Sequence, residues 1–285
     1  MTNTVLITGS SSGFGETAAR LFAARGWNVV ATMRNPEAGG ALAAADNILV
    51  TRLDVEDPLS IGGAIAAGIE RFGKIDVIVN NAGYGLFSVF EPVSREAIQK
   101  QFDVNVFGAM DVIRAILPHF RANGAGAIIN VSSGAGVFGA PMASIYSASK
   151  FALEGFSEAL SYELASVGIK VKIIEPGGAP ATGFMARTAT EADHTSVPPD
   201  YNNFLGHIAG VYGAMATSAD PDAVEKVVEA IFAAATDGTD QLRYQPTDDI
   251  TAFVAARRET SEQNYIAMTR SLFLPPPATP ESTTP

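Results

Sequence analysis

Seven short apolar runs, separated by longer stretches of helical pattern, constrain this chain more than any other feature. They fall at residues 4–8, 28–32, 48–53, 76–79, 127–131, 170–175 and 241–244. Most are continuous rather than alternating, as in Val5-Leu6-Ile7 and Ala127-Ile128-Ile129. A strand that is apolar on successive residues buries both faces, as strands do in a parallel sheet covered by helices on each side. Helical stretches lie between, at 15–25, 59–72, 95–121, 144–167 and 221–235. Such alternation builds βαβ units, with right-handed crossovers, into one doubly wound α/β sheet. A chain of 285 residues has room for one large α/β domain or two small ones. No linker divides it, so one domain over residues 1–274 is expected.

Two segments break the rhythm. Residues 178–219 mix Gly, Pro and Asn with a weak helical pattern, and a connection of that length reads as a substrate lid. Residues 275–285 are rich in Pro, Ser and Thr and read as a disordered tail.

The first apolar run ends in Thr8-Gly9-Ser10-Ser11-Ser12-Gly13-Phe14-Gly15, and a helical stretch follows. Glycines at a strand-to-helix turn let backbone approach a pyrophosphate, and the helix N-terminus offers it free N–H groups and a positive dipole end. The position directly after the first strand is the context this motif requires. Its spacing is G-x-x-x-G-x-G rather than the better-known G-x-G-x-x-G.

Tyr146 and Lys150 stand four apart in a helical stretch and so share a face. A tyrosine titrates near pH 10, and to exchange protons near neutrality it must fall by roughly 3 pH units. A lysine ammonium beside it, with a positive nicotinamide ring, favours the phenolate. Ser133 lies thirteen residues before Tyr146, just past the run 127–131. Ligands of open α/β sheets bind at the carboxyl ends of strands, where a hydroxyl can hold a substrate oxygen. Ser132 is the neighbouring candidate, and spacing favours Ser133.

In chain order, the glycine turn, Asn80-Asn81-Ala82-Gly83, the Ser133/Tyr146/Lys150 set and Pro176-Gly177 resemble the short-chain dehydrogenase/reductase family. The specific motifs run from about residue 4 to 180. The resemblance implies a single-domain Rossmann fold with strand order 3-2-1-4-5-6-7. It makes Tyr146 the acid/base, Lys150 the holder of the nicotinamide ribose, and Ser133 the group that orients the carbonyl. Asn105 would complete a water-linked relay to the lysine. Gly9, Ser11, Ser12, Gly13, Phe14 and Gly15 would hold the pyrophosphate. Asp54 and Val55 would line the adenine, and Asn81 its ribose, with Ala82, Gly83, Pro176 and Gly177 completing the cofactor groove. Apart from the resemblance, Asn105 reads as a polar residue at a helix kink, Asp54 as an N-cap, and residues 80–83 as a brace for the central sheet. The family's P-G-x-x-x-T pattern is disturbed: Thr182 comes one position late.

NAD-binding members carry an acid about 20 residues past the glycine turn, at the end of the second strand. This chain reads Ala31-Thr32-Met33-Arg34-Asn35 there. The missing carboxylate and a guanidinium able to pair with a 2′-phosphate favour NADP(H) over NAD(H). Glu37 keeps NAD(H) open. Phe14 and Thr32-Met33-Arg34 are similar to the hydroxysteroid and retinol dehydrogenase branch, which implies a lipophilic ketone, aldehyde or secondary alcohol. Val137, Phe138, Met142, Phe184, Met185, Phe204, Leu205, Tyr212 and the stretch 84–87 would form the substrate wall, or serve only to pack a lid.

Composition removes several alternatives. Without cysteine there is no disulfide, thiolate nucleophile or zinc–sulfur site. A formal charge of -11 disfavours nucleic acid and anionic membrane as partners. Met1-Thr2-Asn3-Thr4 lacks the pattern of a signal peptide, and no apolar run approaches a membrane span, so a cytoplasmic protein is expected. His119, His194 and His207 are scattered, and no metal requirement is expected. The stretches 95–121 and 144–167 are apolar on more than one side, which the family uses to pair subunits as a homodimer or homotetramer. A non-catalytic NADP(H)-binding regulator on the same fold is the competing reading. A sugar-nucleotide epimerase or dehydratase, which also uses Y-x-x-x-K, fits the glycine spacing less well.

Overall fold

Val5, Leu6 and Ile7 keep no surface in contact with water, and β1 (Thr4–Ile7) accordingly runs through the middle of the sheet. The computed structural model describes residues 2–178, 197–217 and 219–276. The other strands are β2 (Asn28–Met33), β3 (Ile48–Arg52), β4 (Val77–Asn80), β5 (Gly126–Val131), β6 (Ile169–Ile174) and β7 (Arg243–Tyr244). They form one sheet in the order β3-β2-β1-β4-β5-β6-β7, with every neighbouring pair parallel. This is the Rossmann topology expected, and its winding reverses between β1 and β4.

The helices are α1 (Gly13–Ala24), α2 (Pro58–Phe72), α3 (Arg95–Phe102), α4 (Gly108–Asn123), α5 (Ser144–Ala165), α6 (Asn202–Thr217), α7 (Ala223–Thr236), α8 (Thr251–Glu259) and α9 (Glu262–Phe273). Alternate strand residues feed opposite layers. Val5 and Ile7 join Val29, Val79 and Ile129 under α1 and α7, where Phe22, Val227 and Ile231 complete the core. Leu6 joins Val30, Ile78 and Ile128 under α2, α4 and α5, with Ile61, Ile113 and Leu160. In the first layer Phe22 meets Trp27 and Phe232 with ring centroids 5.2 and 4.9 Å away. Burying such a ring contributes about 2–3 kcal/mol.

Three features depart from the sequence expectation. The stretch 95–121 is two helices joined by a π-helical turn, Asp103–Phe107. The wider turn accompanies the inward amide of Asn105, and the close seat of Gly108, where a Cβ would stand 2.7 Å from Val55 Cβ. The weakly patterned 178–219 segment contains α6, and α8 and α9 follow β7 unforeseen. These helices bury their apolar residues against one another and the loop after β5 in a third cluster with Phe138, Ile208, Phe253 and Phe273. No helix among the described residues is long and apolar enough to cross a membrane. The tail expectation lies almost wholly outside the described residues, which stop at 276.

Candidate active site

The turn after β1 is shaped by glycine. Gly9 and Gly13 take left-handed φ angles of 71° and 57°, which side chains resist. A Cβ on Gly15 would stand 2.3 Å from the Gly9 carbonyl oxygen and 2.5 Å from Asn81 Nδ2. Gly15 therefore seats the helix against the turn from behind, while Gly9, Ser11, Ser12, Gly13 and Phe14 border a cleft of about 1080 Å³. Ser12 is the N-cap of α1 and makes no side-chain capping bond. The first turn of the helix thus keeps its anion-binding character.

Residues 80–83 brace the sheet and border the cleft at once. Thr8 Oγ1 accepts from the backbone N–H of Asn81 and of Ala82, each at 3.0 Å. Asn81 Nδ2 returns bonds to the carbonyls of Thr8 and Gly9 at 2.9 and 3.2 Å. Behind them Asn80 Nδ2 donates to Asn130 Oδ1, and Asn130 Nδ2 to Ser157 Oγ, both at 2.8 Å. Asn81, Ala82 and Gly83 line the cleft.

The same cleft runs past the end of β2. Arg34 lies exposed on its lip and makes no ion pair among the described residues. Glu37 is exposed and does not border it. Asp54 and Val55 do. Asp54 is not the N-cap of the following helix: that position is Asp57, whose carboxylate accepts from the N–H groups of Leu59 and Ser60.

Ser133, Tyr146 and Lys150 line the same cleft. Ser133 Oγ accepts from Ala135 N at 3.1 Å, which fixes its rotamer. Tyr146 is 7% exposed, flanked by the Phe87 ring at 5.5 Å, and its hydroxyl engages Ser133. Lys150 Nζ donates to the Val131 carbonyl at 2.9 Å and lies 5.8 Å from the Tyr146 ring centre. Burial pushes the Tyr146 hydroxyl up to about 12, against the pull of Ser133. Burial also brings the Lys150 ammonium down to about 8, against the attraction of Glu154. The protein by itself thus moves the phenol away from neutrality, opposite to the fall that proton exchange requires.

Asn105 is set back from the cleft. Its Oδ1 accepts from Tyr84 N at 3.1 Å, and its Nδ2 donates to Tyr84 O at 2.9 Å and Ser149 Oγ at 3.2 Å. It is the polar residue of the helix kink, and it ties the kink to the loop after β4.

Pro176 and Gly177 reach the cleft held by a distant segment that no motif announced. Gly177 N donates to Thr247 Oγ1 at 2.9 Å, and Gly178 N to Asp249 Oδ2 at 2.7 Å. A Cβ on Gly177 would lie 2.1 Å from Asp249 Oδ1. Thr182, Phe184, Met185 and His194 lie outside the described residues. Of the other wall residues, Phe138 and Tyr212 border the cleft, with Tyr84, Leu86, Phe87, Met215, Ile250 and Phe273. Val137, Met142, Phe204 and Leu205 do not; the first three pack in the aromatic cluster behind it. His119 and His207 bond elsewhere, to Ile75 N and Leu272 O.

A doubly wound Rossmann sheet, with a glycine turn at its switch point and a Ser–Tyr–Lys group across the cleft, defines a class of Rossmann-fold oxidoreductases. The family model for short chain dehydrogenase matches residues 3–193. An uncharacterised oxidoreductase of Schizosaccharomyces pombe is 39% identical over 239 residues, 84% of this chain and 98% of that one. Human 17-beta-hydroxysteroid dehydrogenase type 1 is 33% identical over 297 residues, 98% of this chain and 88% of that one. A solved short-chain dehydrogenase from Streptomyces avermitilis superimposes with a TM-score of 0.77 at 31% identity, covering 95% of each chain. The chain belongs to the short-chain dehydrogenase family, on a branch like that of the hydroxysteroid and retinol dehydrogenases.

Proposed function

We propose that this chain is a cytoplasmic reductase or dehydrogenase that moves a hydride between NADP(H) and a lipophilic ketone, aldehyde or secondary alcohol. The observation that carries the reading is the meeting of Ser133, Tyr146 and Lys150 on one cleft that the glycine turn also lines. The glycine cradle and the uncapped start of α1 fit a dinucleotide pyrophosphate. Asp54 and Val55 would line the adenine, Asn81 to Gly83 its ribose, and Pro176, Gly177 and Lys150 the nicotinamide end. When bound, the nicotinamide supplies or accepts the hydride.

Ser133 Oγ holds the substrate oxygen. Tyr146 Oη gives that oxygen its proton during reduction and takes it back during oxidation. The Lys150 ammonium stabilises the phenolate left behind, which offsets the effect of burial. Asn105 anchors the backbone beside them and is assigned, on the family pattern, to the relay behind Lys150. Tyr84, Phe87, Phe138, Tyr212 and Phe273 supply apolar surface suited to a lipophilic substrate, and similarity to a hydroxysteroid dehydrogenase supports that class. In this reading helix α6, a described part of the 178–219 segment, covers the substrate, and residues 179–196 lie outside the described residues. The helix is tied down by Tyr212 Oη donating to Pro141 O at 2.7 Å and by His207 at Leu272.

The test is a panel of lipophilic ketones and aldehydes with NADPH, followed at the nicotinamide absorbance. Tyr146→Phe should lower turnover by roughly 10²–10⁴-fold with cofactor affinity retained. Stoichiometric NADPH binding with no turnover across the panel would instead favour a regulatory binding protein. Cofactor choice is tested separately. NADPH should bind more tightly than NADH, and Arg34→Ala should narrow the gap by about tenfold or more, the worth of a charge-assisted hydrogen bond. Equal affinities in the unmodified chain would refute NADP(H) preference.

A further inference from the structure

Behind the Ser133–Tyr146–Lys150 group lies a buried ionic cluster that the reaction above does not use. Tyr146, Lys150 and Glu154 follow at four-residue steps along α5 and share a face. Glu154 is 6% exposed, and Glu175, just past β6, is fully buried. Buried carboxylates need cations. Arg243 Nε donates to Glu154 Oε2 at 3.0 Å and lies 3.3 Å from Glu175 Oε1. Its Nη2 donates to Glu158 at 2.5 Å. Arg258 Nη2 donates to Glu175 Oε1, also at 2.5 Å. Two guanidinium groups thus face three carboxylates, and Lys150, its ammonium bonded to the Val131 carbonyl, lies one helical turn from Glu154.

Glu154 also lies against the loop that carries Ser133. Glu154 Oε1 and Ser132 Oγ are both buried and neither makes a well-formed hydrogen bond; burial raises the Glu154 carboxyl above its ordinary value, and the nearby Ser132 hydroxyl works against that rise. Both converge on Gly136: a Cβ there would stand 2.7 Å from Ser132 Oγ, 3.0 Å from Glu154 Cγ and 3.2 Å from the Lys150 carbonyl oxygen. Glu154 therefore sits beside the residue preceding Ser133 and one helical turn from Lys150.

We propose that Glu154 is a positioning residue, a buried counter-anion that keeps the Lys150 ammonium charged, held in place by Arg243 on the edge strand β7, while Arg258 holds the neighbouring Glu175. As a statement about catalysis it rests on the function proposed above. The attraction runs in the required direction, since Glu154 draws the buried ammonium back up. Of the other charged groups on elements packed against α5, Arg95 and Glu96 of α3 are exposed to water, and the following are engaged elsewhere. Lys170 and Lys172 leave the opposite face of β6 toward Asp240 and Asp237. Lys100 pairs with Glu56, and Asp103 accepts from Gln99.

The experiment follows Lys150 directly in the unliganded protein, by carbon-13 NMR of the labelled lysine Cε, with Lys150→Arg to assign the resonance. Glu154→Gln should lower the Lys150 titration midpoint by about one pH unit, and Glu154→Asp, which keeps the charge but withdraws it, by less. Should the amide variant fail to fold, the aspartate variant carries the measurement. A midpoint unmoved in the folded variant overturns the proposal. With an active enzyme, the alkaline limb of kcat/KM should descend together with the midpoint, and a limb that stays in place overturns the role in the reaction. The titration needs neither cofactor nor substrate. A shifted midpoint in a chain that reduces no carbonyl therefore keeps the coupling and rejects the oxidoreductase reading; turnover with an unmoved midpoint does the reverse.

Discussion

In the proposed reaction Tyr146 starts as a poor acid, and Lys150 is the group whose protonation changes at accessible pH. The phenol keeps its proton up to about 12, whereas the ammonium loses its own near 8. The sign of the pH dependence follows. Below about 8 both groups hold protons, so the charge that supports Tyr146 is present and the reduction rate should be flat. Above it Lys150 becomes neutral, the phenolate loses its stabiliser, and kcat/KM for reduction should fall about tenfold per pH unit. A pH series on the free enzyme checks this, and a rate still level at pH 10 would assign the lysine no electrostatic part. The residues proposed to carry the chemistry were legible in the sequence because Tyr146 and Lys150 stand one helical turn apart and Ser133 follows a buried strand. Glu154 was not, because a polar residue two turns along a helix reads as solvated until Arg243 and Glu175 are brought to it from other strands. Asp249 likewise meets Gly177 across a separation that leaves no local pattern.

At the scale of elements, the strands were readable because a two-faced burial demand writes itself as unbroken apolar runs. The glycine turn was readable because its position after β1 matters as much as its composition. The π-turn was hidden, since a single inserted residue leaves the amphipathic pattern of 95–121 nearly intact. Helices α6, α8 and α9 were hidden because they bury themselves on one another through scattered aromatics, with Phe138, Phe253 and Phe273 stacked at 4.7 and 5.8 Å between ring centres. The strand-to-helix junction also supplies a paired test. Gly15→Ala puts a methyl where backbone already stands at 2.3 Å; the turn must open, at a cost of about 1–3 kcal/mol, and NADPH affinity should fall with it. Gly62, exposed inside α2, has nothing within 4 Å of a built Cβ. Gly62→Ala should therefore stabilise by about 0.5–1 kcal/mol and leave cofactor affinity unchanged. Thermal melts and NADPH titrations of the two variants separate steric fit from mere glycine flexibility.

For the molecule as a whole, the outer surface of α5 asks for a partner. Phe151 is 40% and Tyr162 71% exposed, and Phe107 on the adjoining π-turn is 48% exposed. Residues 151, 155, 159 and 162 recur at helical spacing as Phe, Gly, Ala and Tyr, all on the solvent side. An apolar stripe with small residues between its aromatics lets a second helix approach closely, and large exposed apolar patches mark interaction surfaces. An isologous contact of α5 with α5, flanked by α4, would bury the stripe against its own copy and give a dimer, or a tetramer if a second surface also paired. Sedimentation at micromolar concentration should show no monomer. The double variant Phe151→Asp, Tyr162→Asp should sediment as a folded monomer, because two carboxylates forced into an apolar contact cost more than the contact returns. A parent chain that already sediments as a monomer would leave the stripe without this role, while the cleft at the carboxyl ends of the strands would stand untouched.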